Sequence, residues 1–153
     1  MSSTVIKSLP ESMTCLQNLQ TLKLKDCSYF VNCPKLRNLQ TLSIFIVGSD
    51  RGQQIGELKE LNLSGELTIK GLHNVRDSED ARSANLKRKQ DLCALILDYG
   101  DIKTDNLLDN DEEILDGLQP HPNLKKLSIW SYQGLKFPNW MLDLNLIEIS
   151  LRL

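Results

Sequence analysis

Leucine and isoleucine recur along this chain in one local figure. Leu19-x-x-Leu22-x-Leu24 returns as Leu39-x-x-Leu42-x-Ile44 and as Leu92-x-x-Leu95-x-Leu97. It returns again as Leu124-x-x-Leu127-x-Ile129 and Leu146-x-x-Ile149-x-Leu151. A looser copy, Leu63-x-x-x-Leu67-x-Ile69, has one residue more. The last two apolar positions of each copy are two residues apart, which turns both onto one face of a short strand. Strands are therefore predicted at Leu22–Leu24, Leu42–Ile44, Leu67–Ile69, Leu95–Leu97, Leu127–Ile129 and Ile149–Leu151, with their leucines and isoleucines buried. The leading leucine fills the turn into each strand.

One such unit cannot bury its own apolar face. Units stacked side by side give a parallel sheet over a continuous aliphatic core. Equivalent strand positions are roughly 20, 25, 28, 32 and 22 residues apart, against a usual 20–29. The pattern specifies an α/β fold, a leucine-rich repeat solenoid with a parallel concave sheet and an irregular convex side carrying short helices. Residues 1–153 read as one segment of about six repeats, truncated at both ends. Terminal units without caps would leave leucines and a strand edge open, so the isolated chain is expected to associate.

The return segments carry further signals. Leu9-Pro10, Cys33-Pro34 and Phe137-Pro138 echo one another, and proline ends a segment that needs no ladder N–H. Asp77 is placed to cap a helix over Ser78 to Lys89, with Glu79 and Asp80 in its first turn. Ala81, Ala84 and Arg88 would share its face. Asp109 or Asn110 would cap a second helix on "DEEILDGL", which Gly117 would stop. Pro120 and Pro122 stiffen the loop around His121. Asp98 to Asp109 is polar and reads as a surface excursion.

Between the buried positions lie those facing the concave side. One row is predicted as Lys23, Ser43, Thr68, Ile96, Ser128 and Ser150, and the neighbouring row as Lys25, Phe45, Lys70, Asp98, Trp130 and Arg152. Phe45 and Trp130 stand out as large apolar groups where solvent is expected. Exposed aromatics are over-represented among binding hot spots, so a protein ligand is expected to centre on these two. The alternative is that a loop covers them, or that the register differs by one.

Composition narrows the function. Aromatic residues are only 5% against 41% hydrophobic in all, so the core rests on many aliphatic wedges. A net charge of -2 offers no basic footprint for nucleic acid. No apolar run approaches the roughly 18 residues of a membrane span, and Met1 to Met13 has no signal-peptide core. Cys15, Cys27, Cys33 and Cys93 form no CxxC pair, and reduced cytoplasmic thiols are expected. Cys27 sits where repeats of this kind place Asn or Cys as a turn filler. Zinc is not expected from Cys27 and Cys33, because neither histidine lies nearby. Asp109, Asp111 and Glu113 alternate as a calcium loop begins, but Ile114 replaces the required glycine. His73 and His121 have no nucleophile in a recognisable elbow. No enzymatic activity, metal or cofactor is expected in this segment.

Longer blocks carry a family resemblance. "SLPESMTCLQNLQTLKLKDC" resembles early repeats of plant intracellular disease resistance proteins, the coiled-coil, NB-ARC, leucine-rich repeat immune receptors. "LQTLSIFIVGSDRGQQIGELKELNLSGELTIKGLHNVRDSEDARSANLKRK" is similar to the segment that follows in that family, and "GLQPHPNLKKLSIWSYQGLKFPNWM" to another of its hallmarks. The resemblance implies a cytosolic sensor whose repeats recognise pathogen effectors or guarded host proteins in defence. It also implies contact with an NB-ARC switch domain that binds ADP or ATP. This chain contains no coiled coil and no G-x-x-x-x-G-K-[ST] loop, and is compact between Cys27 and Leu39 where the family usually carries a further repeat. It reads as a fragment or a truncated gene product. The other class using such repeats is the substrate-recognition subunit of a ubiquitin ligase. That class favours a cysteine three residues after most strands, a position held here only by Cys27.

The missing P-loop sets an expectation for this segment alone. Equilibrium dialysis of the chain against labelled ATP and ADP should show no saturable binding. Micromolar binding of either nucleotide would contradict it.

Overall fold

The computed structural model describes residues 18–22, 39–48, 53–100 and 110–152. Among the described residues seven strands run in chain order: β1 (Thr21–Leu22), β2 (Thr41–Leu42), β3 (Ile44–Ile46), β4 (Gly65–Lys70), β5 (Leu92–Asp98), β6 (Lys126–Trp130) and β7 (Glu148–Arg152). β1 and β2 form one parallel pair, and β3-β4-β5-β6-β7 form a five-stranded sheet. All pairings in it are parallel and link neighbours in sequence. This is the solenoid that the spacing of leucines requires. Lys23, Lys25, Leu24, Cys15, Cys27 and Cys33 lie outside the described residues, as does most of the Asp98 to Asp109 excursion.

Two core rows run across the sheet. Leu67, Leu95, Leu127 and Ile149 are in register in one, and Phe45, Ile69, Leu97, Ile129 and Leu151 in the other. From β3 to β6 every member of both rows is buried. On β7 the expectation of burial is corrected. Ile149 and Leu151 are 48% and 41% exposed, because β7 has a strand neighbour only on its β6 side among the described residues.

The larger correction is at β2 and β3. The expected core pair Leu42-x-Ile44 is not formed. The ladder breaks at Ser43, whose N–H donates to Leu22 O at 3.4 Å while its carbonyl accepts from Thr68 N at 3.0 Å. Leu42 stays buried against β1, then two residues pass before the next core position, Phe45, at 2% exposure. A one-residue slip moves every later side chain to the opposite face. Phe45 and Val47 are thereby buried, and Ile44 and Ile46 turn outward in register with Thr68 and Lys70. A phenyl ring buries more apolar area than either isoleucine, and Val47 follows in the same phase. Phe45 is therefore a core residue and not a ligand contact.

The convex side holds short helices. α1 (Ser78–Arg82) begins as expected, with the Asp77 carboxylate accepting from Asp80 N at 2.8 Å. It stops seven residues short of Lys89. The Ser83 hydroxyl donates back to Asp80 O, which loosens the turn. Asn85 then takes a left-handed conformation at φ 59°, which asparagine tolerates better than most residues. The chain resumes as a single 3₁₀ turn, Leu86–Arg88. Ala81 and Ala84 are buried as expected, but Arg88 points to solvent. α2 (Asp111–Gly117) is flanked by Asn110, whose side chain donates to Arg76 O and does not cap the helix. Gly117 is the last residue of α2. A side chain there would meet Ser78 O at 2.6 Å and Ala81 Cβ at 2.8 Å, so the glycine lets α2 lie close on α1. α3 (Trp140–Asp143) is one turn that buries Trp140.

Lys89 is buried, at 6% exposure. Its ammonium donates to Leu58 O at 2.6 Å and Leu61 O at 2.5 Å, tying the end of the 3₁₀ helix Ile55–Glu60 to the following repeat. Burial pushes its pKa from 10.5 down to about 8, with the Glu60 carboxylate opposing the shift. Between those values the unfolded chain holds a proton that the folded chain has released. Stability contributed at this site therefore rises with pH across the window. Above about 10 the raised tyrosines Tyr99 and Tyr132 act the other way, because the folded chain then holds the extra protons.

Two outcomes follow for stability. The melting temperature of the native chain, minus that of Lys89→Met, should increase from pH 7.5 to 9.5; a flat difference would place Lys89 in solvent. Gly117→Ala should destabilise by about 1–3 kcal/mol in urea unfolding, as overpacking does. An unchanged midpoint would mean α1 and α2 are not in contact.

Candidate concave binding face

The sheet presents three outward rows. Ile44, Thr68, Ile96, Ser128 and Ser150 form the middle one, in register across five strands. Ile46, Lys70, Asp98, Trp130 and Arg152 form the row at the strand ends. Glu66, Ala94, Lys126 and Glu148 form the row at the strand starts. Of the residues expected here, the structure brings together Thr68, Lys70, Ile96, Asp98, Ser128, Trp130, Ser150 and Arg152. Ser43 sits at the ladder break, half-buried, and its place in the row is taken by Ile44. Phe45 leaves the face, and its place is taken by Ile46.

The slip changes the chemistry of this surface. Ile44, Ile46 and Ile96 are half-buried on the outward side. Thr68 lies between Ile44 and Ile96 at 9% exposure, so the middle row makes a low aliphatic floor. Trp130, on β6, is half-buried, and the Arg152 guanidinium lies 4.7 Å from its ring centre. That contact is a cation–π pair which holds the ring in place. Asp98 faces its own chain: Oδ1 accepts from Gly100 N at 2.9 Å, closing the turn after β5. Gly100 there has φ 83°. Lys126 and Glu148 approach to 3.7 Å in the starting row, both more than half exposed. An ion pair so exposed contributes little to stability.

Behind the face, side chains brace the strand ends. Asn74 Nδ2 donates to Val47 O at 2.9 Å, and His73 Nδ1 lies 3.0 Å from Tyr99 O. Each bond joins one repeat to the next or the previous one. After Trp130, Ser131 turns the chain at φ 62°. The following loop is held by the first turn of α2. Asp111 accepts from Gln133 N at 3.0 Å, and one Glu112 oxygen accepts from Leu135 N and Lys136 N at 2.7 and 3.0 Å. Tyr132 donates to Lys136 O, packs 5.5 Å from the Tyr99 ring and stacks on Phe137 at 5.2 Å. Burial, then Glu112 and Asp111, push the Tyr132 phenol up to about 12. Burial, then Asp111 and Tyr132, hold Tyr99 well above 10. The Tyr132 phenol donates within the loop and the Tyr99 phenol donates to Asp111 O at 3.3 Å, so both brace the turn beside Trp130.

Among the described residues no three of His, Cys, Asp and Glu converge to hold a metal ion. Cys93 is exposed and free. No helix among these residues is long and apolar enough to cross a membrane. The outward isoleucines were missed in the sequence because Leu42-x-Ile44 matches the repeat figure and hides the competing alternation of Phe45 and Val47. The third row carries no apolar signal and was missed for that reason.

Residues 55–153 match a family model described as R13L1/DRL21 LRRs. The chain is 42% identical over 103 residues to the protein named RGA4 of Solanum bulbocastanum, covering 67% of this chain and 10% of that one. It is 37% identical to the disease resistance protein RGA2 of the same plant, over 67% of this chain and 11% of that one. At3g14460 of Arabidopsis thaliana, also named for disease resistance, is 37% identical over 98% of this chain and 13% of its own length. That alignment runs longer than the chain itself, so the relative carries residues that this chain lacks within the matched span. The chain thus spans about a tenth of the length of the relatives it matches.

An outward ring with one cation over it contributes little to folding. Trp130→Ala should cost about 1 kcal/mol or less in urea unfolding. A loss above about 3 kcal/mol, the size of a core aromatic truncation, would show that the ring is part of the core and that no concave hot spot exists there.

Proposed function

Because the chain belongs to the R13L1/DRL21 family of leucine-rich repeats, carried by plant disease resistance proteins, we propose that it is the protein-recognition segment of an intracellular immune receptor. In this reading the concave face binds a pathogen effector or a guarded host protein, and the interface centres on Trp130 with Ile44, Ile46 and Ile96. The observation that carries it is the placement of four large apolar side chains on the outward rows of a braced sheet. Protein-binding hot spots favour such anchored aromatics. The segment acts by binding and not by catalysis. The rest of the receptor would include the NB-ARC domain that binds ADP or ATP, and the repeats would restrain that domain until a ligand engages them. The expected compartment is the cytoplasm.

The test is a receptor carrying this segment, expressed in leaves with the pathogen protein that triggers its cell-death response. Trp130→Asp and Ile96→Asp should abolish the response while the receptor accumulates to its usual level. A full response from both variants would remove recognition from this face.

A further inference from the structure

The proposed recognition face has a charge arrangement that specifies more than apolar contact. At the strand ends Lys70 and Arg152 flank Asp98 and Trp130 in one row. Among the described residues Lys70 has no ion-pair partner, and the Arg152 guanidinium has none either but lies on the Trp130 ring. The one carboxylate between them, Asp98, accepts from the Gly100 amide, which offsets part of its charge. The edge therefore offers two separated cations with an aromatic plate between. A third carboxylate placed over the middle would meet Asp98 and be repelled.

We propose, building on the reading above, that this face takes an extended acidic polypeptide segment, with two carboxylates bracketing an apolar side chain that lies on Trp130. The geometry selects the conformation. Lys70 on β4 and Arg152 on β7 are three strand intervals apart, about 14 Å at the usual spacing of strands. An extended chain covers that distance in about four residues, which returns both carboxylates to the same face. A helix needs about nine residues, and nine residues put the two carboxylates on opposite sides. The preferred ligand thus has acidic residues four apart, a large apolar residue between them, and further aliphatic side chains for the floor of Ile44, Ile46 and Ile96.

A random peptide library displayed on phage and selected on the full chain tests this. Enriched peptides should carry the acidic pair around an apolar residue, and synthetic copies should bind more weakly as salt rises. Lys70→Glu with Arg152→Glu should lower their affinity at least tenfold, and Trp130→Ala likewise, with circular dichroism and melting of each variant close to those of the parent. Enrichment that depends on Trp130 but not on the two cations would overturn the charge arrangement and leave the recognition face standing. Enrichment that ignores all three residues, or none at all, would overturn both.

Discussion

A repeat in this fold has no interior of its own. Each strand contributes two or three apolar side chains to one face, and these are dry only because the neighbouring strands lie in register beside them. Register is therefore the constraint on which the other features depend. Where a strand lies between two others, as β4, β5 and β6 do, its core positions are fully buried. On β7, which has a strand only on its β6 side among the described residues, the same positions are about half exposed, whereas the other edge strand, β3, keeps Phe45 buried. The interaction that fixes the fold is thus lateral stacking of aliphatic rows, with the backbone ladder setting its spacing.

Register also decides what the concave side offers. Each residue gained by the core row is lost to the outward row, so the slip at Ser43 has two effects. It buries Phe45 and Val47, and it turns the half-buried Ile44 and Ile46 outward beside Lys70. The surface then has an aliphatic floor toward β3 and a tryptophan with a stacked guanidinium toward β7. Hydrogen bonds donated by Asn74 and Tyr132 and accepted by Asp111 and Glu112 hold the turns behind these strands. A face ordered before binding loses less entropy when a partner docks.

Much of this was legible from the chain. The positions of β4 to β7, the parallel topology and eight of the ten outward residues that the structure describes follow from the figure Leu-x-x-Leu-x-Leu and its one looser copy at Leu63. The figure failed at "TLSIFIV", where two alternations with opposite phase overlap. Local sequence cannot choose between them, because the choice is made by what β4 can bury. The helix at Ser78 was legible from its cap, but its end was not. Ser83 and Asn85 terminate it through local hydrogen bonding and a left-handed turn that many sequences with those residues do not adopt. The sequence places Lys89 only as the last residue of the expected helix from Ser78. Its burial depends on two carbonyls about thirty residues earlier, and nothing nearby in the chain announces them.

The most direct test of this account is a lysine scan through the slip. Ile44→Lys, Phe45→Lys and Ile46→Lys would each be made in the full chain and unfolded in urea. The substitutions at 44 and 46 should shift stability by about 1 kcal/mol or less, since lysine is tolerated on an outward strand position. Phe45→Lys should cost several kcal/mol or abolish folding, because it places a charge in an aliphatic core. A chain that accepts lysine at 45 and unfolds with lysine at 44 would have the unbroken register, and the concave surface described here would not exist.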